Sequence, residues 1–234
     1  LGARFLDAAG NTLPPGGAAL RDIDRIDLAD LDPRLEKTDI QVACDVDNPL
    51  LGPRGASAVY GPQKGADAPM VEELDQSLAR FAEVAVAATG KSHVPLTSGA
   101  GAAGGLGAGL LFFTRAVLRP GVGLVLEISR FAERVKDATL VFTGEGRTDF
   151  QTAYGKAPVG VAKEAKAHGA MTVVCLSGGL GKGAESVLHE GIDAVASITP
   201  GPISLEECME NGAALLEEAA FRSCLLLAAG KKFQ

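Results

Sequence analysis

Apolar residues recur at two different spacings along this chain, and the spacing predicts which segments are helices and which are strands. Over residues 69–89, Leu78, Phe81 and Ala85 fall on one face of a helix, and Gly90 follows as a C-cap. The same spacing predicts further helices at residues 124–135, 157–168, 184–190 and 205–228.

Short apolar runs between these helices predict strands at residues 40–46, 139–143, 171–176 and 192–198. After residue 120 strands and helices alternate, which favours parallel βαβ units and a Rossmann-like sheet. The earlier part of the chain is richer in loops. We therefore predict an α/β protein with a boundary near residue 123, which gives domains at residues 1–123 and 124–234.

One uncharged stretch, residues 94–114, is long enough to span a bilayer. Gly101, Gly105 and Gly109 even have the spacing of a membrane helix-packing face. However, Pro95 and the run of glycines and alanines make its first half too weakly apolar for confident insertion. A buried glycine-rich loop that leads into a packed helix is the better interpretation, so we expect no membrane span.

Charge and cysteine content narrow the function classes. The 22 basic and 29 acidic residues give a net charge of −7, which argues against a non-specific nucleic-acid binder. Aromatic residues make up 5% and tryptophan is absent, which disfavours a base-stacking platform. The four cysteines have long, irregular spacings, so we expect reduced thiols in a cytoplasmic protein rather than disulfides or a zinc site.

The first chemical motif follows the predicted strand 40–46 and contains Asp45, Asp47 and Asn48. Because side chains alternate along a strand, the two carboxylates should point the same way. Paired carboxylates suit magnesium binding or general-base work. An Asx-turn that ends the strand explains the same residues equally well.

The second motif, residues 52–65, places Arg54 and Lys64 among turn-forming glycines and prolines. Flexible backbone amides with two cations would suit an anion-binding loop. A surface loop with solvated charges is the other interpretation, and composition alone slightly favours it.

The third motif is a glycine run in which Gly99, Gly101 and Gly104 match G-x-G-x-x-G. A dinucleotide fingerprint must follow a buried strand, and residues 91–95 make a poor strand, so a dinucleotide-dependent oxidoreductase is only a minor alternative. A helix N-terminus that offers amides to an anion is the functional interpretation that remains. Close helix packing competes with it.

The fourth motif, residues 143–152, comes directly after a predicted strand and leads towards a helix. Strand–loop–helix crossings are typical ligand sites of parallel sheets, and small residues let a ligand approach the backbone. Its chemistry-bearing residues are Gly144, Glu145, Gly146, Arg147 and Asp149. A charged connecting loop is the weaker alternative.

A fifth glycine-rich segment, residues 177–183, contains Lys182 but lacks the Walker A spacing, because Gly183 stands where Ser or Thr is required. The segment therefore argues against a classical P-loop ATPase.

Four of these motifs together resemble a known family. They read ACDVDNPL at residues 43–50, GASAVYGPQKGA at 55–66, GAGAAGGLG at 99–107 and TGEGRTD at 143–149. In this order they closely resemble the bacterial glycerate kinase family of the glycerate 2-kinase type, and the resemblance runs from about residue 2 to the C-terminus.

The resemblance implies phosphorylation of D-glycerate by ATP with Mg²⁺, giving 2-phosphoglycerate, with 3-phosphoglycerate as the alternative product. It also implies a two-domain α/β fold in which a flavodoxin- or Rossmann-like parallel-sheet domain carries an inserted α/β domain, with the active site in the cleft. Residues 1–123 would then be the remaining part of the inserted domain. Residues 124–234 would be the C-terminal part of the flavodoxin-like domain.

Roles for individual residues follow from phosphoryl transfer, which needs positioning and charge neutralisation. We expect Asp45 or Asp149 to be the catalytic base or the magnesium ligand. Candidate substrate-binding residues are Asp47, Asn48, Arg54, Lys64 and Arg147. Candidate nucleotide-binding residues are Gly99, Gly101, Gly104, Gly144, Glu145 and Gly146.

One departure from the family concerns the N-terminus. Family members begin with a long segment that supplies strands and two ligand loops, whereas this chain starts at Leu1. We therefore expect part of the nucleotide or glycerate site to be missing, and a catalytically incomplete fragment or binding module is the main alternative function. The apolar face of residues 205–228 could pack internally or form a homodimer.

Overall fold

The computed structural model describes residues 1–230, which form two compact units. The first unit spans Leu1–Gly121, and the second begins at Val122. Assignment of these units to an inserted and a flavodoxin-like domain remains a prediction.

The first unit contains two small sheets and three α-helices. Its strands are Arg4–Leu6 (β1), Arg25–Asp27 (β2), Gln41–Ala43 (β3) and Val117–Arg119 (β4), with β1 antiparallel to β2 and β3 parallel to β4. Its α-helices are Ala56–Tyr60 (α1), Ala68–Thr89 (α2) and Ala102–Phe113 (α3). Short 3₁₀ helices cover Ala18–Asp22, Pro33–Lys37, Pro62–Lys64 and Val94–Leu96.

Helix α2 confirms the prediction for residues 69–89 and shows what fixes its ends. The Asp67 carboxylate accepts the Met70 N–H at 2.9 Å and so caps the first turn. Gly90 ends the helix in the left-handed conformation (φ 73°) that glycine adopts without a steric penalty. The buried face carries Phe81, whose ring lies 5.7 Å from that of Phe112 in an edge-to-face contact at the centre of the core.

Strand β3 is shorter than predicted. It stops at Ala43, opposite Arg119. The next N–H along this ladder is that of Gly121, and it donates to Asp45 Oδ1 at 2.7 Å rather than to the β3 backbone. Asp45 and Asp47 therefore lie beyond the strand, so strand alternation does not set the directions of their side chains.

Residues 94–114 form a loop and a short helix rather than a membrane span. Helix α3 contains a kink at its start, because Ala103, Gly104 and Gly105 all have positive φ (52°, 76° and 100°). No helix of the described residues is long and apolar enough to cross a membrane.

The second unit is built on a parallel sheet with strand order β5-β6-β7, as the alternating pattern predicts. Its strands are Leu140–Thr148 (β5), Thr172–Leu180 (β6) and Ala194–Ser197 (β7). Its helices are Gly121–Ile128 (α4), which starts at the boundary of the two units, Phe131–Val135 (α5), Ala157–Ala167 (α6), Leu205–Glu210 (α7) and Gly212–Gly230 (α8), with 3₁₀ helices at Phe150–Tyr154 and Ala184–Glu190.

The central strand β6 is buried on both faces. Val173 and Cys175 pack in the same apolar cluster as the residues of α6. The residues between them and after them, Val174 and Leu176, pack with Ala219 of α8. This alternation explains the continuous apolar run of a parallel strand that has a helix on each side.

Strands β5 and β6 extend further than the apolar runs at residues 139–143 and 171–176 predict. Both continue through the glycine-rich segments that follow, so those segments are paired strand rather than loop. A Cβ atom at Gly144 would lie 2.1 Å from the Leu176 carbonyl oxygen. The missing side chain therefore lets the two strands approach, which the apolar pattern does not show.

Two helices predicted as single elements are each broken in the structure. Residues 124–135 divide at Arg130, which has a left-handed conformation (φ 52°) between α4 and α5. Residues 205–228 divide at Asn211, whose side-chain amide donates to the Glu207 carbonyl at 3.0 Å and so closes α7 before α8 begins.

Candidate functional site

The residues predicted for ligand binding fall into two groups, one in each unit. In the first unit, Asp45 is exposed and its Oδ1 accepts the Gly121 N–H at 2.7 Å. This bond holds the start of α4 to the segment after β3. Asp45 therefore has a structural contact that the sequence pattern does not reveal.

Asp47 and Asn48 both contact the second motif. Asp47 Oδ2 lies 2.6 Å from an Arg54 guanidinium nitrogen, with 73% and 68% of the two side chains exposed. Asn48 Nδ2 donates to the Arg54 carbonyl, and Asn48 Oδ1 accepts the Tyr60 hydroxyl, both at 2.9 Å. The structure thus joins Asp47, Asn48 and Arg54 into one local cluster, in which Asn48 organises the loop.

Lys64 does not join this cluster by any direct contact. It is exposed at the end of the 3₁₀ helix Pro62–Lys64, and within residues 1–230 its ammonium group forms no ion pair. Its charge is therefore available to an anionic ligand.

The glycine run packs closely on the segment that contains Asn48. A Cβ atom at Gly99 would lie 2.8 Å from Cys44 Sγ, and one at Gly101 would lie 2.2 Å from the Pro49 carbonyl oxygen. The Gly101 N–H donates to the Asn48 carbonyl at 2.9 Å. Close packing therefore explains Gly99 and Gly101, and the expectation that the Gly101 amide faces a ligand is wrong.

Gly104 differs from these two glycines. It is exposed, and a Cβ atom would meet nothing within 4 Å. In the part of the chain that the structure describes, the backbone N–H groups of Ala103 and Gly104 have no acceptor. Because a 3₁₀ helix (Val94–Leu96) rather than a strand precedes the run, its context is not that of a dinucleotide fingerprint.

In the second unit, Glu145 lies on β5 and is half-buried. Its Oε1 accepts hydroxyl hydrogen bonds from Thr148 at 3.0 Å and Thr152 at 2.6 Å. The neighbouring Gly144 is needed for close strand packing, whereas Gly146 meets nothing within 4 Å. These residues lie on a strand, so the expectation of a loop at Glu145 is wrong.

Asp149 stands where β5 ends and caps the following 3₁₀ helix. Its Oδ1 accepts the Gln151 N–H at 2.9 Å and lies 3.6 Å from Lys156 Nζ. Together with the Thr152 hydroxyl, which accepts the Asp149 N–H, it forms a capping box. The Asp149 carboxylate is therefore held in place by the backbone of the following 3₁₀ helix.

Arg147 and Asp149 approach the loop after β6 at Gly181. A Cβ atom at Gly181 would lie 3.0 Å from both Arg147 Nε and Asp149 Cβ, so only glycine fits without displacing them. The Gly181 N–H donates to the Thr148 carbonyl at 2.7 Å. The carboxyl end of the sheet thus gathers charges of both signs, from Glu145, Arg147, Asp149 and Lys156.

Sequence reasoning missed several residues of this second group. Thr148, Thr152 and Ser177 are fully buried and hydrogen-bonded to one another or to Glu145. Hydroxyl residues carry no spacing signal of their own. Gly181 lies in the segment that fails the Walker A pattern, and only its close approach to Arg147 indicates a role.

Sequence comparison identifies relatives over nearly the whole chain. The model of the glycerate kinase family matches residues 1–228. The chain is 51% identical to the glycerate kinase of Halalkalibacterium halodurans and 48% identical to that of Bacillus subtilis, in both cases over 94% of this chain and 57% of the relative. It is 44% identical to the glycerate 2-kinase of Escherichia coli, over 90% of this chain and 55% of that protein.

Structure comparison gives the same relationship. A crystal structure described as a glycerate kinase 2 from Salmonella typhimurium LT2 matches 99% of this chain and 60% of its own, with a TM-score of 0.83 and 41% identity. The chain spans somewhat more than half the length of the relatives it matches. The resemblance in the four motifs and the α/β fold are therefore confirmed, and this chain belongs to the glycerate kinase family.

Proposed function

We propose that this chain carries ATP-dependent glycerate kinase activity, transferring the γ-phosphoryl group of ATP to a hydroxyl of D-glycerate to give 2-phosphoglycerate. The observation that carries the proposal is the 51% identity to a glycerate kinase over 94% of the chain. We propose a cytoplasmic location, because the reaction draws on ATP. The homodimer remains a prediction for which sedimentation analysis is the test.

The charged groups at the end of β5 support this chemistry. Phosphoryl transfer needs cations beside the phosphates and fixed carboxylates near the reacting hydroxyl. Arg147 and Lys156 would bind phosphate or carboxylate oxygens, and Asp149 is oriented by the Gln151 N–H. In the first unit, Arg54, Lys64 and the free amides of the kinked α3 start would bind anionic groups of the substrates.

The donor set also fits magnesium. No group of three or more His, Cys, Asp or Glu side chains that could hold a metal exists within residues 1–230. Mg²⁺ does not require such a group, because it keeps several waters and binds one or two carboxylates together with substrate phosphates. Asp149 or Asp45 is the residue that would hold it. Bound there, Mg²⁺ would supply neutralisation of phosphate charge.

A second candidate function is a ligand-binding portion that does not turn over by itself. The observation that favours it is that the chain covers 57% of its relatives' length. The two candidates differ in whether the groups described above suffice for catalysis.

The deciding experiment measures ADP release from ATP and Mg²⁺ with and without D-glycerate. It uses this chain and the complete open reading frame that contains it. We expect glycerate-dependent ADP release from the complete protein, and coupling to enolase distinguishes 2-phosphoglycerate, which enolase dehydrates, from 3-phosphoglycerate. Activity of the chain alone would remove the second candidate. If both the chain and the complete protein fold but neither releases ADP with D-glycerate, the kinase proposal is contradicted.

A further inference from the structure

Three buried hydroxyl groups form a cluster beside Glu145, and two of them contact one of its carboxylate oxygens. Thr148, Thr152 and Ser177 are each 0% exposed. The Thr148 and Ser177 hydroxyls lie 2.6 Å apart, and Thr148 and Thr152 both contact Glu145 Oε1. A cluster of buried polar groups is costly unless every member is hydrogen-bonded, and each of these hydroxyls has a partner.

The direction of each hydrogen bond in this cluster can be assigned from its donors and acceptors. The Asp149 backbone N–H can only donate, and its acceptor is Thr152 Oγ1 at 3.2 Å. The Thr152 hydroxyl hydrogen is therefore directed to Glu145 Oε1, which accepts it at 2.6 Å. Thr148 donates to the same oxygen, so Ser177 must donate to Thr148.

Glu145 is consequently held through one oxygen only. Its Oε1 accepts two hydrogen bonds, while Oε2 has no partner and no cation pairs with the carboxylate in the described part of the chain. Asp149, by contrast, has Lys156 at 3.6 Å. A carboxylate whose Oε1 is occupied by donors can take up a proton only on Oε2.

We propose that Thr148 and Thr152 are positioning residues that hold Glu145 Oε1 and leave Oε2 to accept the proton of the attacking substrate hydroxyl. This inference rests on the proposed kinase function. As the hydroxyl oxygen forms its bond to the γ-phosphorus, its proton bonds to Oε2. The bond between the γ-phosphorus and the bridging oxygen breaks, ADP leaves with that electron pair, and Oε2 later releases the proton to water.

The Thr152 hydroxyl also links the Asp149 backbone to the Glu145 carboxylate. Thr152 accepts from the Asp149 backbone and donates to Glu145, so its position sets the backbone of one and the side chain of the other. Thr148 contacts only Glu145 of these two. Removal of the Thr148 hydroxyl is therefore the cleaner test of the role of Glu145.

The test is a double-mutant cycle on the complete protein with Glu145→Gln and Thr148→Val. We expect Glu145→Gln to lower kcat by about a hundredfold or more, as loss of a general base does. Thr148→Val should lower kcat about tenfold, with KM for ATP and glycerate changed less than about threefold. In the Glu145→Gln background, Thr148→Val should change kcat less than about twofold, because its effect acts through Glu145.

Controls separate positioning from folding. Thr148→Ser keeps the hydroxyl and should restore most of kcat. Ser77→Ala removes another fully buried hydroxyl, in α2, and should leave kcat unchanged even if it lowers Tm. If Thr148→Val does not fold, Thr148→Ala replaces it in the cycle.

The outcomes distinguish the two proposals. Suppose that the wild type is active. If the effects of Thr148→Val and Glu145→Gln on kcat are then additive, or if either variant keeps full activity, only the positioning role is overturned. A wild type that releases no ADP with glycerate would overturn the proposed function and this inference with it.

Discussion

At the scale of single residues, the predicted site residues differ in whether other residues of the chain already engage their hydrogen-bonding groups. Asn48 and Gly101 are engaged in local hydrogen bonds. Glu145 keeps one carboxylate oxygen without a partner within residues 1–230, so it has the capacity to contact a ligand. The same residue types in the same motifs thus serve different purposes, and hydrogen-bond partners tell them apart.

Asp149→Asn and Asp45→Asn test the two predicted catalytic carboxylates. We expect each change in the complete protein to lower kcat by at least about a hundredfold if its carboxylate acts as base or magnesium ligand. Steady-state ADP release gives kcat, and Asp22→Asn is the control, because its exposed pair with Arg21 lies outside the predicted site and contributes about 1 kcal/mol or less to stability. Near-normal turnover of Asp149→Asn or Asp45→Asn would remove that residue from the site.

Gly181→Ala tests the close approach of the β6 loop to Arg147 and Asp149. The added methyl would lie 3.0 Å from both side chains, so we expect both to shift and kcat/KM for ATP to fall about tenfold. Gly179→Ala is the matched control, since a Cβ atom there meets nothing within 4 Å. Equal kinetics of the two variants would show that the position of Arg147 does not matter.

At the scale of elements, side-chain hydrogen bonds help the strand ladders to hold the connections between the parallel strands. Asp193, just before β7, accepts the Val173 N–H at 2.7 Å and pairs with Lys166 of α6 at 2.7 Å. Burial raises the pKa of Asp193, but the hydrogen bonds from Lys166 and Val173 outweigh it, so the pKa lies below its ordinary value of 3.8.

This carboxylate gives stability a defined pH dependence. Because the pKa of Asp193 is lower in the folded state, the bonds stabilise the fold fully above pH 3.8 and are lost as the pH falls through the lower folded value. We expect Asp193→Asn to reduce the loss of stability below about pH 4 relative to wild type. Urea unfolding at pH 3 to 7 measures this, and parallel curves for the two proteins would contradict it.

At the scale of the whole molecule, each unit has its own apolar core. Four of the largest fully buried side chains pack in one apolar cluster, and every member of that cluster lies within residues 1–121. They are Ile23, Leu50, Val94 and Phe112. In the second unit, α6 and α8 cover opposite faces of one sheet. This separation supports the proposed division of the chain into two domains.

Residues 1–121 produced alone should therefore fold. We expect a single cooperative thermal transition, because the buried cluster around Phe81 and Phe112 is complete within this segment. Circular dichroism and calorimetry measure the transition. A gradual, non-cooperative melt would contradict the division, and Phe112→Ala should abolish the transition or lower stability by about 3 to 5 kcal/mol.

The sequence by itself determined helix α2, the parallel α/β architecture of the second unit and the family, because apolar periodicity and ordered motifs are local properties of the chain. Only the tertiary structure decided that β5 and β6 continue through glycines, that the Gly101 amide bonds to the Asn48 carbonyl, and that Thr148 and Thr152 converge on Glu145. These features depend on contacts between residues distant in sequence, and hydrogen-bond partners of that kind have no spacing that a single sequence records.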